Sequence, residues 1–481
     1  MNQTRIKYSL KAFLIVILFS MGMTSCKKYL NIPPPTNKIA GSAAFANDNS
    51  TSGVVTGLFS SMSYTGYFTG AGGIAFASGL YCDELSSLNV NNSAIQTFYL
   101  DALQAGNANQ WSALYADLYQ ANVAIEGIKA NESKLFNKDQ WLGECYFSRA
   151  LLFFYITNLY GEAALPLSSD RLVNGLLARV PQAQVYQQII SDLLQAQTLL
   201  SDSYKDGFGN TTTDRARPNR NAATALLAKV YLYAGNWAGA EGGASTLINN
   251  ASYQLEPLQN VFLSNSKELI WGLAPLVPDG IVSDYKLYSG PMPAQLPAGQ
   301  TPFNYGISAA LNNDFVNSFE SGDQRFSQWI RPVNLTPAPL VGGASYYFPA
   351  KYKSAVSGAE YLSMLRLAEQ YLIRAEARVM QNNLDGALAD LNLIRSRAGL
   401  GASAVSTKSD ILQAILKERR AELFTESGNR LFDLRRTGNL DKVMANAIVA
   451  KGATWSTYKQ YWPIPPGDLV VDPFLVQTPG Y

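Results

Sequence analysis

Residues 365–400 read LRLAEQYLIRAEARVMQNNLDGALADLNLIRSRAGL, and residues 415–438 read ILKERRAELFTESGNRLFDLRRTG. Leu365, Ala368, Leu372, Ala375 and Val379 recur at steps of three and four, the apolar stripe of one helix. Asn382-Asn383 ends it. Leu384, Leu388, Leu391, Arg395 and Ala398 then mark a second helix, stopped by Gly399 and Gly401. Two amphipathic helices joined this closely pack antiparallel, as one helical-hairpin unit. A third helix is expected to start near Thr407, where Thr407-Lys408-Ser409-Asp410 fits a capping box. Charges in 415–438 alternate with Leu416, Leu423, Leu431 and Leu434, the pattern of a paired, half-buried ionic network.

Working outward, the same rhythm recurs. Trp111–Lys129, Asp139–Tyr160, Gln182–Leu200, Asn221–Ala234 and Trp237–Asn249 read as helices. Within the second of these, the uninterrupted run Leu151–Ile156 requires almost complete burial. The turns at Gly235–Ala240 and Asn382–Ala387 are near-parallel: each is followed by an Ala where two helices can cross closely. The expected architecture is mainly α, a tetratricopeptide-like scaffold of helical hairpins carrying long irregular loop insertions. The insertions are Ser61–Tyr99, rich in Gly, Ser, Asn and aromatics, and the proline-rich Ala251–Ser357. Long irregular segments in a compact domain are usually functional, so binding is expected there.

With 481 residues the chain can bury a large core. It contains no histidine, which removes Ser-His-Asp and Cys-His chemistry and imidazole metal sites. Asp202-x-Tyr204-x-Asp206-Gly207 hints at a calcium loop but fails at Tyr204 and Thr213, and reads as a solvated turn. No metal, cofactor or catalytic residue is therefore expected. Cys82 and Cys145 can pair in an oxidising compartment or stay as two buried thiols.

Residues 1–25 carry Arg5, Lys7 and Lys11 ahead of the apolar run Ala12–Phe19, too short for a membrane span, as in a signal peptide. Met23-Thr24-Ser25-Cys26 has the form of a bacterial lipobox, so Cys26 is the expected lipidation site. Residues 26–40 follow as a polar, Pro-rich tether. Without the leader, 35 of the 38 basic residues remain against 36 acidic ones, a charge of −1. Nucleic-acid binding by phosphate neutralisation is unsupported at that balance.

LAEQYLIRAEA, LADLNLIRSRAGL, KERRAELFTESGNRLFDLRRTG and the closing YWPIPPGDLVVDPFLVQTPGY resemble, in order, the motifs of the SusD/RagB family of nutrient-binding outer-membrane lipoproteins. The resemblance implies an N-terminal SusD-like region over 41–250 and a C-terminal SusD/RagB region over 251–481. It implies a structural role for Glu418, Arg419, Arg420, Glu422, Arg430, Asp433 and Arg435. It further implies a lipid-anchored protein of the outer membrane, facing the cell exterior. Such a protein captures a nutrient, most often an oligosaccharide, and passes it to a SusC-like TonB-dependent transporter. Asp83, beside Glu84, falls where the family uses an aspartate for loop structure. Adjacent carboxylates rarely converge across a sugar as glycosidase chemistry requires.

Sugar rings stack their C–H faces on aromatic planes while amides match their hydroxyls. Tyr67, Phe68, Asn91, Tyr285, Tyr288 and Tyr305 are the candidate ligand-binding residues, with Tyr64, Asn89 and Asn92 nearby. Trp329 reads equally as core or as platform, and Asp323 with Arg325 as a loop-fixing ion pair. A near-neutral chain with few clustered bases in its loops favours a neutral glycan. A scaffold that binds only proteins, a peptide-binding relative and a hydrolase are the competing readings. An aromatic groove would favour the first reading over the scaffold, and two convergent carboxylates would favour the hydrolase.

Overall fold

In the computed structural model, the described residues are 43–481 except 65, 108–109, 291 and 337–345. The leader, Cys26 and the tether lie outside them. Met1–Phe45 and Ala46–Tyr481 form two units; of the first only 43–45 are described, a turn. Ala46–Tyr481 is a mainly helical body. None of its described helices is long and apolar enough to cross a membrane.

The scaffold is a row of helices, each packed on the next: α1 Gln110–Ala130, α2 Lys138–Tyr160, α3 Gln182–Leu199, α4 Arg220–Tyr233, α5 Trp237–Ile248, α6 Leu367–Met380, α7 Leu384–Arg397 and α8 Lys408–Leu423. Helix α2 is the centre. Every residue from Gln140 to Tyr160 is buried, because α1 and α3 cover two of its sides while other segments close the rest. The parallel turns have a common cause. Asn236 and Asn383 each cap the following helix by accepting from the backbone N–H of Gly239 and Gly386, at 3.0 and 3.1 Å. Ala240 and Ala387, four residues on, are fully buried where a larger side chain would hold the helices apart. Buried arginine–aspartate pairs clamp neighbouring helices at two places, Arg149 to Asp192 and Arg374 to Asp390, each through two hydrogen bonds.

Helix α6 begins at Leu367 rather than Leu365. Leu362–Arg366 is a strand, antiparallel to Leu269–Leu273, and this ribbon closes the base of the second insertion. Thr407 does cap α8, accepting from the Asp410 N–H at 3.2 Å. The first insertion is more helical than its composition suggests. Asp48–Tyr64 is a helix that runs into it, and Ile74–Tyr81 is another. All eight residues of Ile74–Tyr81 are buried, so no polar face gives the segment a helical period.

The two insertions meet. Leu85–Ser87 pairs antiparallel with Ala309–Leu311, and the Asp284 carboxylate accepts from Thr69 Oγ1 at 3.1 Å and Gly70 N at 3.3 Å. One apolar cluster, including Phe76, Leu85, Tyr288, Leu311 and Trp329, draws on both. Cys82 and Cys145 are separate buried thiols, not a disulfide.

A buried ionic network fastens the second insertion to the scaffold. Arg325 grips Asp323 through two hydrogen bonds and also reaches Glu422 at 3.0 Å and Glu418 at 2.6 Å. Arg366 bridges Glu268, Glu422 and Glu426 at 2.9, 2.6 and 2.8 Å. Arg397 joins Glu268 to Glu422, and Lys351 binds Glu426 and the carbonyls of Glu422 and Phe424. Burial alone would raise the Glu422 pKa, but Arg397, Arg366 and Arg325 outweigh it and hold the carboxyl well below the usual range. Arg419 is paired with Asp433 at 2.7 Å, with Glu369 farther off at 4.0 Å. Glu422 answers three other arginines, Arg325, Arg366 and Arg397.

Candidate ligand-binding site

The burial of the aromatic candidates decides where a sugar can stack. Tyr67, Phe68 and Tyr288 are 2%, 4% and 3% exposed, so none offers an open ring face. Tyr67 and Phe68 stack edge-on with each other, Phe68 packs on Tyr155, and the Tyr67 hydroxyl donates to Asp117. Tyr288 packs against Phe76, and burial pushes its phenol well above the usual value. These three are core residues, a correction to the sequence expectation: Tyr67 and Phe68 pack on each other and on the scaffold helices, and Tyr288 is covered by Phe76 of the other insertion. Trp329 is core as well. Its indole N–H donates to the Leu258 carbonyl at 2.9 Å, and the Arg397 and Arg366 guanidiniums lie 5.7 and 5.9 Å from its ring.

Tyr305 is half-buried over a second cluster that includes Met292, Leu296 and Ile307. Asn91 is exposed on the turn before the helix Ser93–Tyr99, which Asn92 caps. The six candidates are not brought into one groove. Tyr67 borders an open cavity of about 350 Å³ with Phe76, Phe98 and Gln110, while Tyr285 lines a larger one of about 640 Å³, with Ser289, Ser327, Gln328, Arg331 and Lys353 supplying polar side chains. Tyr285 is half-buried on the helix Ser283–Tyr288, whose partner face is pinned through Asp284 to the first insertion. Arg331 lies on the strand Ile330–Val333, paired with Tyr346–Pro349. It donates to the Ser289 carbonyl at 2.8 Å and to that of Met292, tying the Tyr285 helix to the strand. A ring edge, hydroxyls, an amide and two cations on fixed elements make a site for a polar, partly stacking ligand.

Asp83 and Glu84 do not form a second site of glycosidase type. Asp83 accepts from Arg420 and Arg430, at 2.8 Å from each, and these hold its carboxyl down to about 2 against the effect of burial. Glu84 points to the Thr425 N–H, and burial with help from Asp83 pushes it up to about 7. The two acids serve the junction between the first insertion and the C-terminal helices.

The model of the SusD family matches residues 345–481, and a second model, described as starch-binding and associating with outer membrane, matches residues 77–232. The chain belongs to the SusD/RagB family. Two SusD-like proteins of Formosa agariphila are 24% and 26% identical over 427 and 425 residues; each alignment spans 77% of this chain and 78% or 80% of the relative. Among solved structures, a SusD superfamily protein of Bacteroides vulgatus superposes with a TM-score of 0.75 at 21% identity, over 91% of this chain and all of that one. A laminarin binding SusD-like protein does so at 0.72 and 24% identity, over 90% of this chain and all of that one. The surface glycan-binding protein A of Bacteroides uniformis gives 0.73 at 18%, over 90% and 99%. These likenesses establish the fold.

In this SusD/RagB member, Ser289, Ser327, Gln328, Arg331 and Lys353 were missed by sequence reasoning. They are common residue types scattered over 289–353. Only the strand pairing and the Arg331 bonds bring them to Tyr285, and no local spacing signals that.

Proposed function

We propose that the protein is a non-catalytic glycan-binding lipoprotein of the outer membrane, anchored through Cys26 and facing the exterior. It captures an oligosaccharide beside Tyr285 and delivers it to a SusC-type TonB-dependent transporter. The cavity on a firmly anchored insertion carries this reading. Its polar side chains and half-exposed ring match a sugar's hydroxyls and C–H face, and its lining includes no carboxylate to act as acid or nucleophile. Laminarin and surface glycan binding by two relatives of the same fold point the same way.

One ring and a few hydrogen bonds give micromolar-to-millimolar affinity, which suits a protein that must release its cargo. Calorimetry against an oligosaccharide panel should show binding that Tyr285→Ala weakens about fivefold or more, about 1 kcal/mol. Unaltered affinity in that variant would remove the site from this cavity. In cells, Cys26→Ser should release the protein from the membrane fraction. Purification in mild detergent should bring a β-barrel transporter with the native chain; recovery of the protein alone would count against delivery.

A further inference from the structure

The cavity beside Tyr285 holds two cations, Arg331 and Lys353, and no acidic side chain among its lining residues. All 36 acidic residues of the chain lie among the described residues. Neither cation forms an ion pair. Arg331 donates to the carbonyls of Ser289 and Met292, which orient the guanidinium without neutralising it. The acid nearest Lys353 is Glu360, whose carboxylate is occupied by the backbone N–H groups of Lys353 and Ser354 at 2.9–3.0 Å. Asp284, next to Tyr285, faces away towards Thr69 and Gly70. Lys286, on the same helix, is matched by Asp279.

This is unlike the buried ionic network and the helical hairpin, where Arg325, Arg366, Arg374 and Arg397 each meet at least one carboxylate. At the candidate sugar site Arg331 thus has no carboxylate partner, and Lys353 has only the electrostatic attraction of Glu360. A guanidinium already held in place and half shielded from water gains more from an anionic oxygen than from a hydroxyl, because charge-assisted hydrogen bonds are about twice as strong as neutral ones.

We propose that this cavity selects glycans bearing an anionic group, a uronate carboxylate or a sulfate ester, with a sugar face on Tyr285 and the anion against Arg331 and Lys353. The proposal rests on the glycan-binding reading and corrects the sequence-based expectation of a neutral sugar.

The test is calorimetry of the mature chain with three oligosaccharides of matched length: neutral, uronate-containing and sulfated. At low salt at least one anionic ligand should bind about tenfold tighter than the neutral one, with the preference shrinking at high salt. The two anionic arms tell carboxylate from sulfate. Lys353→Gln, at an exposed position, should remove about fivefold of anionic affinity, a larger loss than it causes for the neutral ligand. Arg331→Lys, which keeps the charge, should retain most of the salt dependence, and its melting temperature reports whether the 289–292 loop has loosened. Equal, Tyr285-dependent binding of neutral and anionic ligands would overturn the selectivity and leave the glycan site standing. Binding of all three that ignores Tyr285→Ala, or no binding at all, would overturn both.

Discussion

The hairpin Leu367–Arg397 and the insertion 251–357 close on the same carboxylate. Arg397 of the first and Arg325 of the second both meet Glu422. They reach it in opposite ways. The hairpin is built from neighbours in sequence: its stripe, its Asn383 cap and its Arg374–Asp390 pair lie within 31 residues. The insertion is built from distant partners, pairing with residues 85–87 on one side and hanging from the scaffold by buried ions on the other. Local order makes a rigid frame, and long-range order chooses which insertion side chains face solvent.

The strongest way to break that contrast is to remove the residue both regions share. Glu422→Ala leaves Arg325, Arg366 and Arg397 short of a buried acid and should cost about 3–5 kcal/mol in chemical unfolding. A melting temperature near wild type would show that the insertion does not depend on this anchor. Next come the paired tyrosines of one short helix. Tyr288→Ala empties core and should cost about 3–5 kcal/mol, with affinity retained in the molecules that fold. Tyr285→Ala should do the reverse, lowering affinity with little change in stability. If both behaved alike, the division between core and platform would fail.

Arg419→Ala should be milder, about 1–3 kcal/mol, because Asp433 keeps Arg436 at 2.8 Å. A loss as large as that of Glu422→Ala would show the Arg436 pair to be ineffective. A pH slope is expected from Glu84. Its folded pKa, about 7, stands above the ordinary 4.5 because of burial and Asp83. Its contribution is therefore fully present below about pH 4.5 and is lost as pH rises through 7. Stability of wild type minus that of Glu84→Gln should fall over this window; a flat difference would mean Glu84 ionises normally.

Legibility followed the same division. The scaffold helices α1 to α7 were readable within one or two residues at their ends, since caps and 3.6-residue periodicity act between near neighbours. Leu365 and Arg366 were the exception, drawn into a strand by Leu269–Leu273 across some hundred residues of chain. Ile74–Tyr81 was hidden because a helix buried on all sides has no polar phase to read. Asp323 and Arg325 were legible as a pair; their further tie to Glu418 and Glu422 was not.

By itself, then, the sequence determined the helical-hairpin scaffold, the charged C-terminal motif and the two insertions, because each is encoded by spacing within a few turns. Tertiary structure alone decided that Tyr67, Phe68, Tyr288 and Trp329 are core while Tyr285 keeps an open side, and that Arg331 and Lys353 stand beside it without an ion pair. An aromatic residue in a loop carries the same local signal whether it is covered or not. Which it becomes depends on what the opposite insertion places over it, and no periodicity records that.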